Sequence, residues 1–283
     1  MKPVSEVRPS PIAGRWYSAD PRQLSASIDG YLADVQASPL GGQVVALIVP
    51  HAGHPYSGPV AAYAFRAVAG LKVDLVAIVS PMHQYHPLPL LTSAHQSYAT
   101  PLGVIPIDGG AVAAVDAALK QDLGFGLSAV GYDGEHSLEI ELPFLQRVLA
   151  GPFQLLPVMM RDQSPLTAHA LGQALAKTLA GRSALLVASS DLSHFYPQQQ
   201  AETLDAAILE QLAQFSPEGL FEVEAQGKGF ACGLAPMAAV LWAARDLGAN
   251  QVQVLHHATS GDVIKDYSSV VGYGSAVVFK RLS

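Results

Sequence analysis

Short apolar runs that end at Pro, Gly or Ser recur along the chain, and they predict strands that are buried on both faces. The predicted strands are Val44–Val49, Leu75–Val79, Phe153–Met159, Ala184–Ala188, Val252–His256 and Val270–Phe279. Pro157 interrupts the third run and weakens that prediction, because proline donates no ladder hydrogen bond. The runs in the middle of the chain are the expected central strands of a sheet that is covered on both sides.

Segments with apolar residues at helical spacing lie between these runs. The predicted helices are Pro21–Val35, Ser57–Ala69, Gly110–Lys120, Ser137–Leu149, Pro165–Ala180, Gln200–Phe215 and Leu234–Leu247. The alternation predicts a single α/β domain over residues 1–283, with a mainly parallel central sheet between two layers of helices. The Pro-rich stretch Ser80–Pro101 predicts a long ordered loop, a kind of segment that is often functional.

Composition narrows the classes of protein that remain. The chain has 283 residues, of which 50% are hydrophobic and 14% charged, and this excludes disorder as its main state. The net charge of −7, without a Lys/Arg cluster longer than a pair, argues against nucleic acid or an anionic membrane as the main partner. The single cysteine, the lack of an apolar signal segment and the lack of a membrane-spanning run predict a cytoplasmic globular protein.

Histidines follow the predicted strands at the end where a parallel sheet binds ligands. His51 follows the first strand, His83 the second and His194 the fourth, and His256-His257 ends the fifth. Neutral imidazole is a common ligand for Zn, Cu and Fe, so His51 and His83 are the predicted metal ligands. The alternative for each histidine is a strand cap that hydrogen-bonds the backbone.

Cys232 lies between glycines and opens the predicted helix that ends near Gly248. A thiol at a helix N-terminus is expected to lose its proton more easily, which suits a metal ligand or a nucleophile. The alternative is a small buried apolar residue, as most free cysteines are.

Asp191 and His194 are three positions apart just after a predicted strand. An Asp–His pair can fix the tautomer of the imidazole and make it a general base, so both residues are predicted to be catalytic. The alternative for Asp191 is the cap of a helix or turn.

Further polar residues are expected in the same cleft. His136 and Glu139 are three positions apart at the start of a predicted helix, so His136 is a candidate catalytic residue and Glu139 a candidate substrate-binding residue. His54 and Tyr56 are expected to line the mouth of the pocket and bind substrate. Glu135 is interpreted as a residue that stabilises the positive end of the helix.

Several motifs in this order resemble the Memo family (mediator of ErbB2-driven cell motility and its prokaryotic relatives). They are Arg8-Pro9, Ala13–Tyr17, Pro50–Gly58, Glu135–Glu139, Leu142–Leu145, Ser189–His194, Cys232-Gly233, Thr259–Asp262 and Val271–Tyr273. The resemblance implies a fold similar to that of the class III extradiol dioxygenases of the LigB type. It also implies that His51, His83 and Cys232 are the metal ligands and that His194 is the general acid/base. His54 departs from the family pattern, which usually has an aromatic residue there.

The third metal position distinguishes this chain from those dioxygenases, whose iron is held by two histidines and a carboxylate. Here a thiolate is implied, so the expected cofactor is a divalent metal, with Fe(II) first and Zn or Cu as alternatives. The resemblance implies a non-haem iron dioxygenase that acts on a small aromatic diol. Two alternatives stay open: a non-catalytic adaptor that binds a peptide or small anion in the same cleft, and a zinc hydrolase.

Overall fold

The computed structural model describes residues 4–36 and 40–281. The helices in this part of the chain are α1 (Pro21–Asp34), α2 (His54–Arg66), α3 (Gly109–Leu123), α4 (Leu142–Val148), α5 (Pro165–Leu179), α6 (Gln198–Ala213), α7 (Pro217–Ala225), α8 (Leu234–Asp246) and α9 (Gly261–Ile264). The strands are β1 (Val7–Arg8), β2 (Gly42–Val49), β3 (Leu75–Pro81), β4 (Leu90–Ser93), β5 (Ser97–Thr100), β6 (Gly103–Pro106), β7 (Ser128–Val130), β8 (Gln154–Met160), β9 (Ala184–Ser189), β10 (His194–Tyr196), β11 (Gln251–Thr259) and β12 (Val270–Arg281).

The main sheet has the strand order β10-β12-β2-β9-β3-β8-β4-β7, and β11 pairs with β12. The four central strands β2, β9, β3 and β8 are parallel to one another. On either side of them, β12 joins β2 and β4 joins β8 in antiparallel pairs. The sheet is therefore mixed: the predicted parallel pairing is correct for its centre and for β4 with β7, but not for the β12–β2 and β4–β8 pairs.

Two apolar layers cover the sheet, as the runs of buried residues predict. Alternate residues of β3 face opposite sides: Leu75, Ala77 and Val79 pack in one core, and Val76 and Ile78 pack in the other. The first core includes residues of α3, α5 and α8, whereas the second includes residues of α1, α2 and α4. The fold is a mixed α/β architecture in which helices flank a large central sheet.

Three local predictions need correction. The stretch Ser80–Pro101 is not a loop throughout, because β4 and β5 lie within it and β4 continues the main sheet. The predicted helix Ser137–Leu149 starts as one 3-10 turn, Glu139–Glu141, and becomes α-helical only at Leu142. β11 continues past His256 to Thr259. In the described ranges, no helix combines the length and apolar character needed to cross a membrane.

The strand order determines where the polar residues meet. β9 lies between β2 and β3, so the carboxyl ends of these three parallel strands are adjacent. His51 follows β2 and His83 follows β3 by two residues each, and Asp191 follows β9 by two. This places three chemistry-bearing segments at one edge of the sheet, as expected for the ligand-binding edge of an α/β protein.

Candidate metal centre

Three histidines converge beyond the carboxyl ends of β2 and β3. His51, His83 and His136 each offer a ring nitrogen, and these three nitrogens lie within 4.8 Å of one another. The imidazoles of His83 and His136 are stacked with centroids 4.7 Å apart, and that of His51 meets them edge-on at 5.2 and 5.4 Å. Imidazole nitrogens at such spacing could hold a divalent metal ion.

A second partner orients each of the three rings. His51 Nδ1 lies 2.9 Å from Ser189 Oγ, and His83 Nδ1 lies 2.9 Å from Glu135 Oε1. The same carboxylate oxygen lies 3.3 Å from His136 Nδ1 and accepts hydrogen bonds from the His136 and Ser137 backbone amides. With the Nδ1 atoms engaged in this way, the Nε2 atoms are the ring nitrogens that can bind a ligand. Metal-bound histidines typically have such an outer partner, which fixes the tautomer and ring orientation.

The electrostatics favour neutral imidazoles at His51 and His136, each with a lone pair available. Burial lowers the pKa of His51 well below its ordinary value, and the charges of His83 and His136 lower it further. Burial lowers the pKa of His136 to about 4. Burial alone would raise the pKa of Glu135, but the hydrogen bond and charge of His83 hold it well below the usual range. Glu135 is therefore an ionised carboxylate beside the rings.

Cys232 contacts one member of the cluster, His51, from the loop before α8. Its Sγ atom lies 3.1 Å from His51 Nε2, and its backbone amide donates to the Asp191 carbonyl at 3.2 Å. Gly233 allows this approach, because a Cβ atom there would lie 2.5 Å from the Ser189 carbonyl oxygen. Burial and the Asp191 carboxylate raise the pKa of the Cys232 thiol, contrary to the expectation of an easily lost proton. A bound cation would favour the thiolate instead.

Asp191 contacts a different histidine from the one predicted. Its Oδ1 atom accepts hydrogen bonds from the backbone amides of His51 at 2.7 Å and Ala52 at 3.3 Å. Burial raises the Asp191 pKa to about 7. Within the described ranges Asp191 makes no hydrogen bond to the His194 ring, so the structure gives it a role in positioning the end of β2 rather than in setting a tautomer of His194.

His194 stands at the edge of the same site. Its ring contacts the rings of Phe195 and Phe230 at centroid distances of 5.6 and 5.8 Å. Burial lowers the pKa of His194, and the charge of His83 lowers it further. A neutral imidazole close enough to feel the charge of His83 can accept a proton from a molecule bound beside it. Its predicted acid/base role remains a prediction.

The structure distributes the predicted substrate-binding residues differently. Tyr56 is 41% exposed, which is compatible with a pocket mouth. His54 is buried at the start of α2, where Nε2 lies 3.0 Å from the Ile140 carbonyl. Glu139 is fully buried, and its carboxylate binds Arg8, Ser10 and Tyr17. Because the chain is not α-helical between His136 and Glu139, the two side chains do not share a helix face.

Two strand histidines do not join the cluster. His256 stacks on Tyr63 at 4.3 Å, and His257 Nε2 lies 2.8 Å from the buried Asp205 carboxylate. Both lie inside β11, on the far side of β12 from β2. They are therefore not part of the histidine cluster.

Three partners of the cluster were not predicted from the individual residues. Trp16 stacks on His136 with centroids 4.0 Å apart, Glu135 holds His83, and Ser189 holds His51. Glu135 is 52 positions from His83 and Ser189 is 138 positions from His51, so no local spacing could reveal these contacts. The family motifs contain all three residues and were the only available signal.

Comparison with curated proteins identifies relatives over nearly the whole chain. A MEMO1 family protein of Nitrosopumilus maritimus is 32% identical over 95% of this chain and 98% of its own length. A MEMO1 family protein of Methanopyrus kandleri is 32% identical over 95% of this chain and 98% of its own length. A MEMO1 family protein of Methanothermobacter thermautotrophicus is 34% identical over 94% of this chain and 98% of its own length.

A solved structure and a family model complete the comparison. An uncharacterized protein of Escherichia coli K12 superposes with a TM-score of 0.51 over 83% of this chain and 100% of that one. At 14% identity, that likeness concerns the fold alone. The family model described as Memo-like protein matches residues 8–277, which include every residue of the histidine cluster and Cys232. The chain therefore belongs to the Memo family.

Proposed function

We propose that this protein is a non-haem metal enzyme that oxidises a small aromatic diol, with Fe(II) as the expected metal. The observation that carries the proposal is the convergence of three imidazoles within 4.8 Å, each with its Nδ1 atom beside a second partner. Imidazoles whose Nδ1 atoms are held by outer partners fit a divalent transition metal that binds through Nε2.

His51, His83 and Cys232 are the proposed ligands. His51 and His83 follow two parallel strands that flank β9, and the Cys232 thiol lies 3.1 Å from His51 Nε2, which supports a shared ion. A bound Fe(II) would supply the activation of O₂ and of the diol oxygens that organic side chains cannot provide. The thiolate is softer than the carboxylate of the extradiol enzymes, so Zn and Cu are the competing metals.

The surrounding residues have distinct proposed roles. His194 takes the proton of a substrate hydroxyl, since its lowered pKa keeps the ring neutral at pH 7. His136, stacked on Trp16, hydrogen-bonds the substrate from the other side. Phe195 and Phe230 border His194 with apolar surface, as recognition of an aromatic ring requires.

The test is O₂ uptake by anaerobically purified, Fe(II)-loaded protein with a series of catechols. His194→Ala should retain the metal and lose about 10²–10⁴-fold in turnover, the usual contribution of a general acid/base. His86→Ala, on the loop beyond the cluster, is the matched histidine control and should leave both quantities unchanged. Loss of metal from His194→Ala would make His194 a ligand and contradict its assigned role.

Metal titration of two further variants decides whether Cys232 or His136 is the third ligand beside His51 and His83. Cys232→Ser should weaken metal binding by orders of magnitude, whereas His136→Ala should retain most of it. The reverse result would make His136 the third ligand. A protein that contains zinc, takes up no O₂ and cleaves esters or amides would contradict the oxygenase and indicate a hydrolase.

A further inference from the structure

Ser189 connects His51 to a buried carboxyl group that the proposed reaction does not use. The Ser189 hydroxyl oxygen lies 2.6 Å from the Ser137 carbonyl oxygen, 2.9 Å from Glu141 Oε1 and 2.9 Å from His51 Nδ1. All four groups are buried. The Ser189 hydroxyl therefore makes three hydrogen bonds, and each of them requires one hydrogen atom, from either Ser189 or its partner.

Counting hydrogens decides the direction of each bond. A serine hydroxyl has one hydrogen to donate and two lone pairs to accept with. The Ser137 carbonyl can only accept, and at 2.6 Å it is also the shortest contact, so the hydroxyl hydrogen belongs there. His51 and Glu141 must then act as hydrogen-bond donors to the Ser189 oxygen. His51 Nδ1 does so as the Nδ1–H tautomer, and Glu141 does so only as a neutral carboxylic acid.

We propose that Glu141 is a protonated carboxylic acid at neutral pH and acts as a positioning residue, donating to Ser189 and thereby fixing His51 in the Nδ1–H tautomer. In this arrangement the lone pair of His51 lies on Nε2, the atom that faces Cys232 at 3.1 Å. The consequence for metal binding rests on the proposed function, but the protonation state and the tautomer do not.

The surroundings of Glu141 favour the neutral form. The side chain is buried, and within the described ranges no Lys or Arg side chain hydrogen-bonds it. The guanidinium of Arg8 binds Asp133 and Glu139 instead. The nearby Asp191 carboxylate repels a second negative charge, and burial raises the pKa of Glu141 well above its ordinary value.

Infrared spectroscopy of the metal-free protein tests the protonation state directly. With ¹³C-labelled glutamate, which separates Glu141 from the aspartates, wild type at pH 7 should show the carbonyl band of a buried carboxylic acid. Glu141→Gln should lose that band and keep the fold, because the amide can donate to Ser189 in the same way. Wild-type protein without such a band, or with a band that persists in Glu141→Gln, would overturn the proposal.

The tautomer of His51 is read from ¹⁵N chemical shifts in the same metal-free samples. Nδ1–H is expected in wild type and in Glu141→Gln, and an Nε2–H tautomer in wild type would overturn the proposal even if no variant folds. Ser189→Ala should mix the tautomers and weaken binding of added Zn²⁺ by about 10- to 100-fold, as for other outer partners of metal-bound histidines. If wild type has the acid band and the Nδ1–H tautomer but binds no metal, the metal function fails while this inference stands.

Discussion

Replacing His54 by Phe tests how burial controls a titrating core residue. The His54 ring is 3% exposed, meets the rings of Phe144 and Tyr17 at 5.0 and 5.3 Å, and bonds the Ile140 carbonyl through Nε2. Its Nδ1 atom is buried without a hydrogen-bond partner in the described structure. Protonation would therefore place an unpaired positive N–H in an apolar core, and burial lowers the pKa of His54 to about 4.

The magnitude follows from the difference between the folded and unfolded pKa values. The unfolded value is about 6.5, so the unfolded chain binds the proton first as the pH falls. Stability contributed by the neutral ring is complete above about pH 6.5 and is lost as the pH approaches about 4. Between pH 7 and pH 4, the free energy of unfolding of wild type should fall by about 3 kcal/mol relative to that of His54→Phe, since one pKa unit corresponds to about 1.4 kcal/mol.

The assay is urea unfolding of both proteins at several pH values, with the unfolding free energies compared at equal m-values. His54→Phe should be less stable than wild type at pH 7 by about 1–3 kcal/mol, because the Ile140 carbonyl loses its partner. The difference should shrink or reverse near pH 4. As a control, Ile28→Val changes the core without a titrating group. It should lower the free energy of unfolding by about 0.5–1.5 kcal/mol at every pH. A pH-independent offset for His54→Phe would refute the reasoning.

Two further substitutions test the network beneath the cluster. Arg8→Leu should destabilise the fold by about 3–5 kcal/mol in thermal or urea unfolding, because Asp133 and Glu139 would remain buried without their cation. The exposed-pair control Arg147→Ala should cost about 0–1 kcal/mol, and equal effects of the two changes would contradict the buried-pair account. Glu135→Gln should weaken metal binding about 10- to 100-fold in a competition titration, and an unchanged dissociation constant would exclude Glu135 as the residue that orients the rings.

Much of the fold could be predicted because burial on both faces leaves a continuous apolar run in the sequence. The run Leu75–Val79 is such a case, and it forms most of β3. A short strand lacks this signal: β4 has only four residues, and its place in the sheet depends on pairing with β8, about 70 positions away. The antiparallel position of β12 beside β2 is likewise a long-range property that no local pattern encodes.

The histidines of the site could be predicted more readily than their partners. His51 and His83 follow strands, so their convergence depends only on the adjacency of parallel strand ends. The prediction that Glu139 shares a face with His136 was wrong, because it assumed α-helical spacing. Glu139 begins a 3-10 turn, and its carboxylate binds Arg8 instead. Glu135 resembled an ordinary residue at a helix start until folding brought its carboxylate to His83.

Elemental analysis after anaerobic purification tests the central claim most directly. About one divalent transition-metal ion per chain is expected in wild type, with iron expected first, since imidazole nitrogens and a thiol select such metals. The double variant His51→Ala/His83→Ala, purified in parallel, should contain no stoichiometric metal while keeping the circular dichroism spectrum of wild type. Folded wild-type protein that lacks metal and binds none of Fe(II), Zn²⁺ or Cu when these are added would contradict the account.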